Sequence, residues 1–518
     1  MLGAYLAGYD QQELSFLTRG FSEGFRIPFE QNKLPKPTIC KNHPSALTNK
    51  KATEEKLLEE IKQGRIVGPF VKKPGNLICS PLALIPKSEK GKFRLIHDLS
   101  YPKGKSVNDS ISRQFTEVHY DSIDTIVEKV KQCGRHSLMA KTDIENAFRL
   151  IPIHHADRFL LGFSWEFQTQ KQFFMDACLA MGLNISCQIF TRFSNALQWI
   201  METKYGANVS HIIDDFCFVG PSDSNLCKSS LENFLTVCRH IQIPIKYEKT
   251  VTPTTKLIIY GIEVDSENMI IRLPQDKVEK IKRKLSEIQK KRKITLKQLQ
   301  SIIGLLNFAC GCIVPGRAFL RRLYDLTKGV TRPSHFIRLN MEARADFNMW
   351  GVFMQSFNGR CMFLQDDWVD SQMLHLYTDA SSKIGFSAVF GSEWVADIWQ
   401  DSFKEHHINV LELIPIVIAV AVWGKKMSNH KIMFHSDNEA SVHVINKMSS
   451  KDPDMMKWLR KLVLLTMHHN ILFRAKHVPG VENVVSDCLS RSKFQKAFEI
   501  APRLKRSPSH IPDHVWDI

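Results

Sequence analysis

The run HIIDDFCFVG sets two adjacent carboxylates, Asp214 and Asp215, between apolar, β-prone residues on both sides. Few folds accommodate this. A strand that carried both acids into a core would strip their hydration, and side by side they repel each other. A tight hairpin tip relieves the burial, but the repulsion still calls for cations close by. Asp143, in MAKTDIENAFRLIPI, closes a stretch of alternating polar and apolar residues and is a third acid in similar surroundings. Single aspartates are mostly turn residues or caps. Three acids on neighbouring strand ends point instead to a pair of Mg²⁺ ions about 3.5–4 Å apart, which stabilise the attacking and leaving oxygens of a phosphoryl transfer.

Composition narrows the partners. The chain has 518 residues, room for about three or four compact units. Lys and Arg number 70 against 53 Asp and Glu, a formal net charge of +17. Such a surplus attracts polyanions without saying whether they are nucleic acid, acidic protein or anionic lipid. The start MLGAYLAGYDQQELSF lacks the order of charges and apolar residues found in a secretory signal. The longest apolar stretch, 410–423, is interrupted by Glu412 and Pro415 and reads as too short for a bilayer span. The 12 cysteines are scattered, with no CxxC pair and no zinc spacing. The expectation is a reducing intracellular compartment, cytoplasmic or nuclear, with no membrane partner.

Residues 1–50, punctuated by Pro35, Pro37 and Pro44, read as an extension draped on a core. ATEEKLLEEIKQ (52–63) reads as a short amphipathic helix. LICSPLALIP (77–86) and KFRLIHDLS (92–100) read as strands joined by SEKGK, and a second strand pair surrounds 212–219. Residues 274–330 read as helical and basic, 331–370 as a connector rich in Trp, Phe and Met, 371–495 as a mixed α/β unit, and 496–518 as a tail without periodicity.

From about residue 66 to 326 these pieces stand in the order of a reverse transcriptase, which the chain resembles. SPLALIPKSEKGKFRLIHDLS resembles the fingers hairpin. The resemblance implies that Lys87 and Arg94 meet the incoming triphosphate, work suited to a point cation and a planar fork. Asp98 and SVND (106–109) match the end of that motif, and Asp143 matches the first metal-binding aspartate. Phe148 takes the place of the aromatic steric gate that rejects a 2′-hydroxyl. MGLNISCQIF resembles the helix beneath the template–nucleotide pair, with Gly182 permitting close approach. EKT (248–250) and LIIYGIEVD (257–265) resemble the motifs that close the palm and grip the primer. LQSIIGLLNFACGCIVPGRAFLRRL resembles the thumb. Ile212 stands where Tyr is usual, and Met181 where some members have Gln. Alone, Lys87 and Arg94 are plain surface charges, Phe148 a core residue and Gly182 a turn; six pieces in one order outweigh those readings. The wording GPF, RLIHDLSYP, SVNDSI, LLGF and PGRAFLRRL resembles, more narrowly, the DIRS-like retrotransposons, which integrate with a tyrosine recombinase.

A second set of acids follows. HLYTDASSKIGFSAVF reads as a strand, Asp379, a glycine-bearing turn and a second strand, and NVLELIPIVIAVAVWG as a largely buried helix carrying Glu412. KIMFHSDNEASV is a strand ending in Asp437, and AKHVPGVENVVSDCLSR sets Asp487 on a final helix. Four acids meeting at one end of a central sheet repel one another unless two Mg²⁺ join them. The pattern resembles a ribonuclease H, and the resemblance gives His477 the place of that family's mobile histidine, able to shuttle a proton. The bland alternatives are a loop histidine, and for Glu412 a helix-start acid complementing the dipole.

The run KVEKIKRKLSEIQKKRKITLK (277–297) is strongly basic. On a thumb, such a run neutralises backbone phosphates. The expectation is therefore an α+β right hand of fingers and palm (51–273) and thumb, followed by an α/β ribonuclease H-like domain. Its metals are Mg²⁺, two per site, with Mn²⁺ as a substitute. Its partners are an RNA template, a DNA primer, dNTPs and the RNA–DNA hybrid, with a recombinase and a coat protein supplied separately. Two other readings are a degenerate relic that only binds nucleic acid, and an RNA-copying RNA polymerase. Intact acids oppose the first; a hybrid-cutting domain and an aromatic gate oppose the second.

Overall fold

The computed structural model describes residues 2–87, 91–168, 170–356, 360–362, 367–479 and 483–516. The first three residues of the SEKGK turn and parts of the expected connector lie outside the described residues. The chain divides into two compact units, Met1–Tyr260 and Gly261–Ile518. The division falls ahead of the expected boundary at 273.

In the first unit, helix α1 (Gln11–Glu23) is capped by Asp10, whose carboxylate accepts from the N–H groups of Gln12 and Glu13. Helix α2 (Lys50–Lys62) lies where the amphipathic pattern placed it. Strand β1 (Ile66–Phe70) precedes the hairpin of β2 (Leu82–Pro86) and β3 (Phe93–His97), which is shorter than expected at its outer ends. Strand β4 is Leu138–Asp143, and β5 (Gly162–Phe167) pairs with β6 (Gln170–Asp176). Helix α3 is Ser186–Tyr205. Strands β7 (Val209–Ile212) and β8 (Asp215–Gly220) form the second hairpin, helix α4 is Leu226–His240, and β9 is Val251–Thr254.

The sheet that matters has the order β7-β8-β4-β9, with every ladder antiparallel. Its strands are rich in β-branched and aromatic residues, which suit a pleated, half-buried surface. Helices α3 and α4 pack on it and bury Phe190, Phe193, Leu197, Leu231 and Phe234. Full burial of one such side chain stabilises by about 1.5–3 kcal/mol. Gly206 ends α3 in the left-handed conformation, its N–H donating to the Glu202 and Met201 carbonyls.

The first fifty residues are not a draped extension. Leu6, Leu17, Phe25 and Ile27 are buried in the same core as α3 and α4. Arg26 pairs with buried Asp157, and Glu13 holds Arg192 through both carboxylate oxygens. Composition hid this because the apolar residues are sparse among polar ones.

In the second unit, helix α5 (Gln275–Gln289) buries Val278, Ile281, Leu285 and Ile288. The basic run is helical only to Gln289. It then becomes strand β10 (Lys293–Thr295), before helix α6 (Leu296–Ala309), whose start is fixed by reciprocal bonds between Thr295 and Gln298. Strand β11 (Phe336–Arg338) pairs with β10, and helix α7 (Met341–Ser356) follows.

Strand β12 is Trp368–Asp370, and β13 (Leu376–Ala380), β14 (Gly385–Phe390) and β15 (Glu393–Ile398) form an antiparallel sheet. Helix α8 is Ile408–Trp423, strand β16 is Lys431–Ser436, helix α9 is Pro453–His468, and strand β17 is Leu472–His477. Helices α10 (Val484–Ser490) and α11 (Phe494–Ile500) close the unit. In place of one central sheet, β12, β16 and β17 form a separate parallel ladder. Arg474 of β17 lies over the Trp368 ring of β12, 5.0 Å from its centroid.

Two further expectations change. The stretch 496–518 is not a loose tail, because Ala497, Leu504 and Val515 are buried and Trp516 packs against Phe386, Phe403 and Trp458. The apolar helix continues through a 3₁₀ turn to Met427, 20 residues in all, so by length it is not too short to cross a bilayer. With 72% of its most apolar window buried inside the unit, it occupies the environment of a core helix.

Candidate functional site

Ile212 pairs with Asp215, so Ile213 and Asp214 make a two-residue tip between β7 and β8. Asp143, at the end of β4, lies directly opposite Asp215. Register alone therefore brings Asp143, Asp214 and Asp215 to one end of one sheet. Ile213 sits at φ +55°, a left-handed conformation that costs a non-glycine residue about 1–3 kcal/mol. The neighbours hold it there: Ser194 Oγ donates to the Ile213 carbonyl at 2.7 Å, and the Ile144 N–H donates to the Asp214 carbonyl at 3.0 Å. Local strain fixes the aim of the acids.

The electrostatics follow from this crowding. Burial, then the charges of Asp143 and Asp215, push the Asp214 carboxyl up to about 6 despite Lys249. Burial and Asp143 also raise Asp215, against Lys141 and Lys249. Lys249 Nζ lies 2.6 Å from Asp143 Oδ2. Lys249, in EKT (248–250), carries no mark in the sequence of this contact with Asp143.

The residues expected to meet a nucleotide are partly grouped. Lys87 and Arg94 are exposed near the turn end of the β2–β3 hairpin, where Ile85 pairs with Arg94. Phe148 lies in a short 3₁₀ turn, Ala147–Leu150, half-buried and edge-on to Phe190 of α3 at 5.9 Å. Gly182 has φ +131°, and a Cβ there would lie 1.9 Å from the His97 carbonyl oxygen. Its close approach is thus to the chain's own backbone.

The second cluster is built from different elements. Asp379 on β13 and Glu412 on α8 are both buried, Asp437 follows β16, and Asp487 is on α10. Burial first, then the charges of Asp379 and Asp437, push the Glu412 carboxyl up to about 9. Burial also pushes Asp379 up to about 6, opposed by a hydrogen bond from Ser490 and reinforced by Asp487 and Asp437. Asp379 thus feels Asp437 and Asp487, and Glu412 feels Asp379 and Asp437. Arg491 Nε lies 2.6 Å from Asp487 Oδ1. His477 Nε2 lies 3.1 Å from the Asp437 carbonyl oxygen, exposed beside the cluster. Ser490 and Arg491 were missed; both fall inside the quoted SDCLSR, without an acid's diagnostic chemistry.

Among the described residues, no three His, Cys, Asp or Glu side chains form a ready-made metal cage. The donor chemistry nonetheless suits a hard divalent cation, since each cluster is all carboxylate oxygen. In each, one acid already leans on a cation of the chain itself, Lys249 in the first and Arg491 in the second.

A groove of about 460 Å³ opens beyond the end of α5, lined by Gln289, Lys290, Arg292, Arg338, Leu339, Met341 and Arg344. No acid lines it. Lys293 and Arg338 stand directly opposite across the β10–β11 ladder, a like-charge pair that destabilises unless an anion lies near. Lys293 also lies over exposed Phe336, 5.1 Å from its ring centroid. Arg344 was not foreseen; its guanidinium donates to the Gln289 and Lys291 carbonyls.

Residues 85–295 match the profile of a family described as reverse transcriptase (RNA-dependent DNA polymerase). No curated protein matches the chain. Solved structures that align include a foamy viral protease–reverse transcriptase, in a form designated dRH, in complex with double-stranded DNA. It is 17% identical with TM-score 0.49, covering 92% of this chain and 82% of that one. A second complex of the foamy viral protein with double-stranded DNA is 17% identical with TM-score 0.48, covering 92% and 97%. Its complex with an RNA/DNA hybrid is 16% identical with TM-score 0.49, covering 99% and 64%. The stretch that matches the reverse transcriptase profile, residues 85–295, contains Asp143, Asp214 and Asp215.

Proposed function

We propose that this chain is an RNA-directed DNA polymerase joined to a ribonuclease H. It copies an RNA template from a DNA primer and degrades the RNA strand of the hybrid. The observation that carries the first half is the convergence of Asp143, Asp214 and Asp215 at one sheet end within the family-matched stretch. The charges of Asp437 and Asp487 on Asp379, and of Asp379 and Asp437 on Glu412, support the second.

Asp143 and Asp214 hold the metals of the polymerase, and Asp215 orients them. Mg²⁺ at these carboxylates supplies the charge that steadies the attacking 3′-oxygen and the departing pyrophosphate. Lys87 and Arg94 bind the triphosphate of the incoming dNTP, and Phe148 excludes a 2′-hydroxyl. Lys249 neutralises Asp143 and limits the repulsion within the cluster. In the nuclease, Asp379, Glu412, Asp437 and Asp487 hold the Mg²⁺ pair, and His477 carries a proton to or from the reacting phosphate. The α5 face and the groove beyond it take the backbone of the duplex. The family is that of the DIRS-like retrotransposons, whose recombinase and coat protein come separately, and the site of action is intracellular.

Purified protein with RNA template, DNA primer, dNTPs and Mg²⁺ tests this. Asp214→Asn lowers extension by at least about a hundredfold, as loss of a group that stabilises transition-state charge does. It leaves hybrid cleavage intact, and Glu412→Gln does the reverse. Extension by Asp214→Asn at the wild-type rate sinks the polymerase assignment. Cleavage that survives Glu412→Gln sinks the nuclease assignment.

A further inference from the structure

A four-residue 3₁₀ turn holds little conformation by itself. Phe148 nevertheless has one fixed place, and the fixing comes from the next residue. Arg149 turns inward while Phe148 packs on α3. Its Nε lies 2.8 Å from Glu60 Oε2 of α2, and its Nη2 lies 2.8 Å from Asp176 Oδ1 at the end of β6. Nη1 donates to the Leu179 carbonyl at 3.2 Å, and Nη2 to the Arg65 carbonyl at 3.3 Å.

The second oxygen of Asp176 faces His97 Nδ1 at 2.8 Å, and His97 Nε2 faces the Gly162 carbonyl at 3.0 Å. The backbone of His97 continues the chain of contacts. Its N–H donates to the Met181 carbonyl at 3.0 Å, and its carbonyl lies against Gly182. His97 ends the strand that carries Arg94. One buried network thus links the turn of Phe148, the loop of Gly182 and the strand of Arg94.

Burial alone raises the Asp176 carboxyl, yet the Arg149 charge and the His97 hydrogen bond more than reverse this and hold it below the usual range. Burial likewise opposes the Arg149 charge, which Asp176 and Glu60 sustain. A buried charge network of this kind does not contribute much net stability over an apolar replacement, but it fixes one geometry. A planar fork with four defined partners fixes orientation more closely than a lysine would.

We propose that Arg149, through Glu60, Asp176 and His97, is the positioning residue that sets the nucleotide pocket, so that selection of deoxynucleotides over ribonucleotides depends on this network. The inference rests on the reading of Phe148 as the gate. Glu60, Arg149 and Asp176 touch neither metal nor nucleotide in that reading; they act through Phe148 and Gly182.

The test is single-nucleotide incorporation by the full chain on an RNA template with a DNA primer and Mg²⁺, comparing kcat/KM for a dNTP and the matching rNTP. Arg149→Lys keeps the charge and loses the fork. Glu60→Gln removes one partner and leaves Asp176 in place, so it tests the same point should Arg149→Lys fail to fold; thermal unfolding verifies each. Each folded variant lowers the dNTP-over-rNTP preference by about tenfold, on the scale of small misplacements in a reacting geometry, while dNTP turnover at saturation falls less. Phe148→Val supplies the reference for a lost gate. A preference equal to wild type in the folded network variants, with Phe148→Val relaxed, overturns the network and leaves the gate standing. A preference unchanged in Phe148→Val overturns the gate reading, and this inference with it.

Discussion

A methyl group added at Gly182 would meet the His97 carbonyl oxygen at 1.9 Å, on a backbone at φ +131° that other residues rarely adopt. Gly182→Ala is therefore expected to destabilise by more than about 2 kcal/mol, read from urea unfolding, since clash and strain add. It should also depress primer extension; a midpoint within error of wild type would show that the loop yields. At this scale the acids were the legible part. Asp143, Asp214 and Asp215 announce themselves because adjacent carboxylates among apolar residues have few physical resolutions. Lys249 did not, because its bond to Asp143 spans 106 residues and nothing about one lysine in a polar turn marks it. Arg149 was silent for the same reason: its partners Glu60 and Asp176 lie on elements far from it in sequence.

At the scale of elements, helices α7 and α9 are joined by Asp346 and Arg460. Asp346 is fully buried, and among the described residues neither its Oδ2 nor Arg460 Nε has a hydrogen-bond partner. Burial pushes the Asp346 carboxyl up to about 6, more than Arg460 and Arg322 pull it down. A carboxyl whose folded pKa lies above its unfolded value of about 3.9 favours folding at low pH, and that contribution is lost as pH rises through about 4 to 6. Asp346→Asn should remove this slope, seen as urea midpoints that fall less than wild type between pH 4 and 6. Parallel slopes in the two proteins would exclude it. Elements with a strong pattern were readable: the strands Leu138–Asp143, Val209–Ile212 and Asp215–Gly220, and the helix Lys50–Lys62. The ends of the chain were not. Leu504 and Val515 are single apolar residues between prolines and charges, and isolated burial leaves no period to find. Strand β12 escaped notice because three residues are too few to show alternation, and its partner strand lies some sixty residues further on.

For the molecule as a whole, the +17 charge now has locations. Lys280, Lys282 and Arg283 are exposed on α5, and Lys290, Arg292, Arg338 and Arg344 line the groove beyond it. If the groove takes one backbone phosphate through Arg338, Arg338→Gln should lower the slope of log affinity for an RNA–DNA hybrid against log salt by about 0.7–0.9. Equal slopes for variant and wild type would remove Arg338 from the interface. A mixed α/β fold was accessible from the order of motifs; the division at Tyr260 was not, because compactness is a property of contacts, not of composition. The buried N-terminal segment, finally, sets a timetable for synthesis. The Tyr5 hydroxyl meets His240 Nδ1 at 2.7 Å across 235 residues, and Glu13 meets Arg192 across 179. At ribosomal rates of about 5–20 residues per second, Leu6, Leu17 and Phe25 wait on the order of ten seconds or more for a surface to cover them. Nascent chains halted near residue 180 should be protease-sensitive and held by chaperones, and those halted beyond residue 260 and its exit-tunnel allowance should resist.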